Sequence, residues 1–370
     1  MKRILQVVGS MNRAGAETMV MNLYRAIDRE KFQFDFIYFT KKECAFDKEI
    51  ISLGGRIFHI NEKDSKSPFL RTLQLYKIIK KEGPFHAVHC HQLFSNAFHL
   101  MAAYMAGIKM RIAHSHNTSD ANSSSILGRI YQRLSKWIIN LLGTDFVACG
   151  DLAGKYLFYR SREVLLIPNA IDIDKFIFSQ EKVATDYFKL PEVDDNTLFI
   201  TQIGRLMPVK NHKFSIEFAD FLKSKNIDFR MLFIGGGELE SELKNLVENK
   251  GLTSEVAFLG VRSDIDQVLA NSDIMIMPSH HEGFPVILVE AQVAGCPSLI
   301  SNNISPEVDL KLNLIEFCGL DESMDTWLGK MNELTKRPKT DERLIRETMR
   351  KEGFDIDVSV KRLERLYEKK

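Results

Sequence analysis

Two doubly wound α/β domains in tandem are predicted for this chain, and three observations predict them. Its 370 residues exceed what one ordinary core organises. Short apolar runs alternate with helical periodicity from end to end, as in parallel strands joined by crossover helices. The residues best suited to chemistry fall just after those runs, and open α/β sheets bind ligands outside the carboxyl ends of their strands.

Residues 3–9 (RILQVVG) read as the first strand, followed by a loop over 10–15 and a helix over 17–27. Strands follow at 32–39 and 56–60, with helical spacing over 46–53 and 70–81. Residues 87–91, 111–116 and 145–150 are short apolar strands separated by helices near 94–106 and 124–142, and 164–168 closes the first half. A polar, acid-rich stretch up to Asn196 then reads as a connection with at most a short helix. The second half places strands at 198–204, 229–235, 256–260, 274–277 and 298–301, with helices at 212–224, 238–250, 263–271, 285–294 and 321–336. The charged amphipathic tail, 357–370, is expected to pack back on the first half. The expected domains are therefore 1–170, joined by a returning helix over 355–370, and 171–354.

Composition narrows the function. With 50 basic and 49 acidic residues the net charge is +1, so no global field favours nucleic acid. The cysteines, 44, 90, 149, 296 and 318, are odd in number and lack C-x-x-C spacing, which fits reduced thiols in a cytoplasmic protein. Met1-Lys2-Arg3 leads straight into a strand, and no apolar run nears the ~20 residues that span a bilayer. The 125–142 segment sets Ile126, Ile130, Leu134, Trp137, Ile138 and Leu141 on one face, with Arg129, Arg133 and Lys136 opposite. A basic amphipathic helix of this kind can lie on the anionic cytoplasmic face of a membrane. An ordinary core helix with a solvated charged face explains the pattern at least as well.

The chain is organised around Ser279-His280-His281-Glu282-Gly283-Phe284-Pro285-Val286, continuing to Glu290. It follows the apolar run Ile274–Met277, and Pro285 suits the first helical position because its missing N–H would be unpaired there. The free amides of this helix start suit a phosphate. Glu282 and Glu290 frame it, and carboxylates beside a phosphate need neutral partners, such as the vicinal hydroxyls of sugars. A nucleotide sugar satisfies all three.

Arg205 and Lys210 share the loop after the 198–204 strand and suit the charge on a departing diphosphate, although two solvated cations would look the same in sequence. Gly15 closes a loop that lacks the G-x-G-x-x-G pattern and reads equally as a plain turn. The pairs His89/His91 and His114/His116 each point to one side of their strand. No acid or cysteine sits at ligand spacing beside them, so no metal is expected, and one histidine is expected to serve as a hydrogen-bonding group. The D-x-D triplets at 172–174, 264–266 and 355–357 fit chance occurrence among 49 acids.

These residues resemble the retaining glycosyltransferases of family 4, of GT-B fold, in which two Rossmann-like domains face each other across a cleft. The resemblance is greatest to bacterial exopolysaccharide and capsule enzymes. It rests on Ala14-Gly15-Ala16-Glu17, Val88–His91, His114–His116, Pro168–Asp172, Gly204-Arg205 with Lys210-Asn211, Gly235–Gly237, Phe258–Gly260, and above all on the E-x7-E pair Glu282 and Glu290. It implies that Glu290 holds the ribose and Glu282 the donor hexose. Amides around Gly283, Phe284, Pro285 and Val286 would bind the diphosphate, with Arg205 and Lys210 neutralising it. Gly204 and Gly235 would border the donor, Val261 and Arg262 would line the nucleobase pocket, Gly15 would admit the diphosphate, and His116 would stand near the transferring carbon. No metal would be needed. The chain departs from the family pattern at Ala170, which replaces a glycine, and at Glu238, one place later than the usual acid. The expected reaction moves a sugar from a UDP-sugar to a saccharide or polyprenyl-linked acceptor. A nucleotide-sugar epimerase or a silent sugar-binding protein of the same fold are the alternatives.

Overall fold

The structure, a computed structural model, describes residues 1–12, 15–61, 67–117, 125–178, 187–191, 193–194, 196–282 and 284–369. The chain divides into two compact units, Met1–Ile171 with Gly353–Lys370, and Asp172–Glu352.

The first unit runs β1 (Lys2–Val7), α1 (Gly15–Ala26), β2 (Phe32–Tyr38), α2 (Asp47–Ser52), β3 (Ile57–His59), α3 (Pro68–Glu82), β4 (Ala87–Cys90), α4 (Asn96–Met105), β5 (Met110–Ser115), α5 (Ile126–Leu142), β6 (Asp145–Ala148), α6 (Asp151–Leu157) and β7 (Val164–Leu166). Its strands pair in parallel in the order β3-β2-β1-β4-β5-β6-β7. Order reverses between β1 and β4, which opens a crevice at their carboxyl ends. β2 is buried at every position because helices cover both sheet faces. The tail helix Ile356–Glu368 returns to this unit. Its Tyr367 is fully buried, with ring centroids 5.7 Å from Phe32 and 6.0 Å from Phe34.

The second unit runs α7 (Ile173–Phe178), β8 (Leu198–Ile203), α8 (His212–Ser224), β9 (Phe229–Ile234), α9 (Glu240–Asn249), β10 (Val256–Gly260), α10 (Ile265–Ala270), β11 (Ile274–Met277), α11 (Val286–Val293), β12 (Ser298–Ser301), β13 (Ile315–Cys318), α12 (Met324–Leu334) and α13 (Glu342–Glu352). The parallel order is β10-β9-β8-β11-β12-β13, reversing between β8 and β11. Trp327 anchors one face of this sheet, fully buried against Phe214 with its indole N–H on the Gly319 carbonyl. Sequence periodicity missed α6, β13 and α13. β13 has only four residues, one of them Glu316, and α13 is mostly charged, with only Ile345 and Met349 buried.

Candidate active site

In the second unit the loops after β8 and β11 meet where strand order reverses. Asn211 adopts the left-handed conformation (φ 54°), which its short polar side chain tolerates, and donates from Nδ2 to the Pro278 carbonyl at 3.0 Å. The His280 amide donates to Val209 O at 2.8 Å, joining the loops again. The buried Gln202 donates to the Lys210 carbonyl and accepts from Ser215 Oγ at 2.6 Å. Lys210 is thus fixed at its backbone, and its Nζ lies 2.6 Å from Glu282 Oε1, with each side chain less than a fifth exposed. Glu282 is fixed from its other side by a bridge to Ile304. The two cations of this loop differ in their surroundings: Lys210 is paired with Glu282, whereas Arg205 is exposed and pairs with no described acid.

The glycines here answer to backbone crowding. A Cβ on Gly235, whose φ is +141°, would stand 2.0 Å from Gly204 O, and one on Gly237 would stand 2.3 Å from Leu206 O. At Gly204 the added carbon would press on the Lys210 side chain at 3.3 Å. At Gly15, the first residue of α1, a Cβ would meet nothing, so packing among the described residues does not demand glycine there. Pro285 is the cap before α11, with extended backbone (φ −74°, ψ 112°), one place earlier than its expected first-turn position. Gly283 lies outside the described residues, as do Arg13 and Ala14.

Glu290 is partly buried on α11. Dehydration lifts its carboxyl pKa to about 7; Lys175 works against that rise and Asp266 adds to it. Lys175 itself pairs with Asp266 at 2.8 Å. Val261 is 67% exposed at the end of β10, available for stacking. Arg262 beside it is committed: it donates to both Asp264 oxygens and to the Tyr187 hydroxyl, and stacks over the Tyr187 ring at 5.3 Å. This pairing with Arg262 holds Asp264 down at about 2. Arg262 is therefore committed to Asp264 and Tyr187 more than it is a free donor. Both His280 and His281 are exposed.

The first unit's histidines gather where its own strand order reverses. Register sets Gln6 beside His89 and Cys90 beside Ala113, so His89, His91, His114 and His116 project from one face of neighbouring strands. His91 and His116 are the first residues past the ends of β4 and β5. The rings stack, with centroids 4.4 Å apart for His89/His91 and 4.1 Å for His114/His116. Dehydration lowers all four pKa values, to about 3 at His89 and about 4 at His116, so the quartet is neutral near pH 7. Nitrogens of His89, His91 and His114 lie within 4.8 Å of one another, a grouping that the sequence, read strand by strand, does not reveal. Gln6 and Tyr367, both bonded to this quartet, also escaped sequence reasoning. They stand 361 positions apart and carry no motif.

The helix α5 reverses the core-helix reading. Its apolar face points outward: Leu127 is 80% exposed and Trp137 54%, with Ile126, Ile130, Leu134 and Leu141 also exposed. Ser135, Ile139 and Asn140 face inward, Asn140 bonding Leu157 O and the Tyr159 amide. Lys136, expected in solvent, donates to the Tyr156 carbonyl at 2.9 Å. Arg129 and Arg133 remain exposed. Periodicity found the apolar face but carries no information about whether it meets the core, and Arg129 and Arg133 are exposed along with it, with Ser135, Ile139 and Asn140 as the buried residues. Exposed Tyr104 and Met105 extend the patch; Arg111 lies over Tyr104 and donates to Leu142 O. Among the described residues no helix is long and apolar enough to cross a membrane.

Two α/β units, each with polar groups at a strand-order reversal, define a fold used for binding and transferring nucleotide-linked groups. The family model for glycosyl transferases group 1 matches residues 184–351, and that for Glycosyltransferase Family 4 matches residues 13–175. EpsF of Bacillus subtilis (strain 168), named as a glycosyltransferase, is 37% identical over 371 residues, covering 99% of this chain and 96% of its own. An Escherichia coli UDP-Gal:alpha-D-GlcNAc-diphosphoundecaprenol alpha-1,3-galactosyltransferase is 30% identical over 65% of this chain and 62% of its own. Anabaena Alr3699/HepE, solved in complex with UDP-glucose, superposes with a TM-score of 0.74 at 17% identity, covering 99% of both chains, and shows the shared GT-B fold. The chain belongs to the family 4 glycosyltransferases and is an enzyme of the transferase class.

Proposed function

We propose that this protein transfers a sugar, with retention of anomeric configuration, from a UDP-sugar to a saccharide on a polyprenyl-diphosphate carrier in surface-polysaccharide assembly. The observation that carries the reading is the Lys210–Glu282 pair at the β8/β11 reversal, a cation and a carboxylate fixed side by side by backbone ties. A sugar diphosphate needs both, the cation for its phosphates and the acid for its hydroxyls. Arg205, exposed and unpaired among the described acids, adds the second positive charge. Glu290 on α11 would accept the ribose hydroxyls, and Val261 would stack on the base. The UDP and lipid-diphosphate named for the relatives are consistent with these assignments.

In the reaction the bond from the anomeric carbon to the phosphate oxygen breaks and a bond to the acceptor oxygen forms on the same face. The acceptor's proton passes to the departing phosphate. Lys210 and Arg205 stabilise the charge gathering on that leaving group, so neither a protein nucleophile nor a metal is required. The exposed face of α5, flanked by Arg129 and Arg133, would rest on an anionic cytoplasmic bilayer and bring the enzyme to a lipid-borne acceptor.

The test is a transfer assay with UDP-sugars and a polyprenyl-diphosphate-linked saccharide in EDTA, with the anomeric configuration of the product read by NMR. A product of retained configuration is expected. Inverted product, or activity restored only by a divalent ion, contradicts the mechanism. Isomerisation of the UDP-sugar with no acceptor present would establish the epimerase instead.

A further inference from the structure

The quartet in the first unit forms one hydrogen-bonded chain through Gln6. Gln6 Oε1 lies 2.8 Å from His91 Nε2, and an amide oxygen only accepts, so His91 carries its proton on Nε2. The neutral ring then offers Nδ1 as acceptor to His116 Nε2, 2.9 Å away, which places the His116 proton on Nε2. On the other arm Gln6 Nε2 donates to the Tyr367 hydroxyl at 3.3 Å. Tyr367 has one proton of its own, and His89 Nδ1 stands 2.8 Å away to receive it. His89 therefore donates from Nε2 to His114 Nδ1 at 3.2 Å. The chain ends on two buried atoms without partners among the described residues, His116 Nδ1 and His114 Nε2.

We propose that Gln6 is a positioning residue that fixes the tautomer of all four imidazoles, so that His116 keeps an unprotonated Nδ1. An effect on turnover rests on the reading of His116 as a residue of the transfer reaction; the tautomer order does not. Rotating the Gln6 amide by half a turn would reverse every bond in the chain and put a proton on His116 Nδ1. Among the described residues no charged group hydrogen-bonds to the quartet; the rings stack on one another, and His89 meets Tyr367 edge to face. A buried acceptor left unpaired is costly.

The experiment is long-range 1H–15N correlation spectroscopy of the full chain labelled with 15N-histidine, assigned by single substitutions. In the unmodified protein His89, His91, His114 and His116 should all be Nε2–H tautomers. Gln6→Glu, which can only accept, should keep His91 and His116 in that form while turning His89 and His114 to Nδ1–H. Gln6→Leu should mix the tautomers and cut kcat about tenfold or more with little change in donor KM, a larger loss than Gln6→Glu causes. Nδ1–H on His91 and His116 in the unmodified protein overturns the proposal, and so does a pattern that survives Gln6→Leu. The expected spectra with kcat unmoved in Gln6→Leu would leave the chain of bonds standing and remove His116 from the transfer site.

Discussion

In the second unit the loops after β8 and β11 meet through an ion pair, Lys210 with Glu282, backed by glycines packed against backbone. In the first unit the ends of β1, β4 and β5 meet through an amide, a phenol and four neutral imidazoles. The positions in the two sheets correspond, each lying at a reversal of strand order. The difference teaches that one architecture can be furnished for opposite tasks. Full charges suit a dianionic leaving group, and dehydrated neutral groups of fixed polarity suit hydroxyls.

The largest break in that comparison should come from Lys210→Ala. It removes a cation from the leaving group and leaves Glu282 uncompensated, so kcat/KM should fall about 10²- to 10³-fold. Steady-state kinetics measure it, and a loss below about threefold would remove Lys210 from the chemistry. Glu282→Gln keeps the shape but weakens the grip on the sugar. Turnover should fall by about tenfold or more while UDP affinity by calorimetry stays within a few-fold. Abolished UDP binding with sugar transfer spared would reverse the assignment.

The two regions should also respond oppositely to pH. Glu290 has its folded pKa raised from 4.5 to about 7, so its contribution to stability is complete below 4.5 and lost as pH rises through 7. Glu290→Gln should therefore flatten the loss of second-unit stability between those values. His116 has its folded pKa lowered from 6.5 to about 4, so its contribution is complete above 6.5 and lost as pH falls. His116→Gln should shallow the acid limb by up to about 1.4 kcal/mol per pH unit. Urea titrations across pH check both, and a common sign for the two variants would contradict the contrast.

The smallest effect belongs to α5. Sedimentation with anionic liposomes should weaken as salt rises, and replacing Arg129 and Arg133 by Gln should cost roughly 1 kcal/mol each. No sedimentation at low salt would remove the membrane contact.

Much of this was legible in the sequence. Strand ends and the E-x7-E spacing pointed to the loops after β8 and β11, which the structure ties together. Periodicity also found nearly every strand, since buried parallel strands are written as continuous apolar runs. Three features escaped for physical reasons. The Lys210–Glu282 pairing depends on loop backbone ties through Gln202, Asn211 and His280. The imidazole quartet depends on strand register, which joins two separately read histidine pairs. The outward face of α5 depends on Asn140 and Lys136 bonding inward, a choice no hydrophobic period encodes.

The central claim, that the second unit grips a UDP-sugar through Lys210, Glu282 and Glu290, is tested most directly by thermal unfolding of the full chain with UDP-, GDP- and ADP-sugars. A UDP-sugar at a hundred times its Kd should stabilise the protein by about 2.7 kcal/mol, with the shift reduced in Lys210→Ala. Stabilisation by GDP- or ADP-sugars alone, or by none of the three, would contradict it.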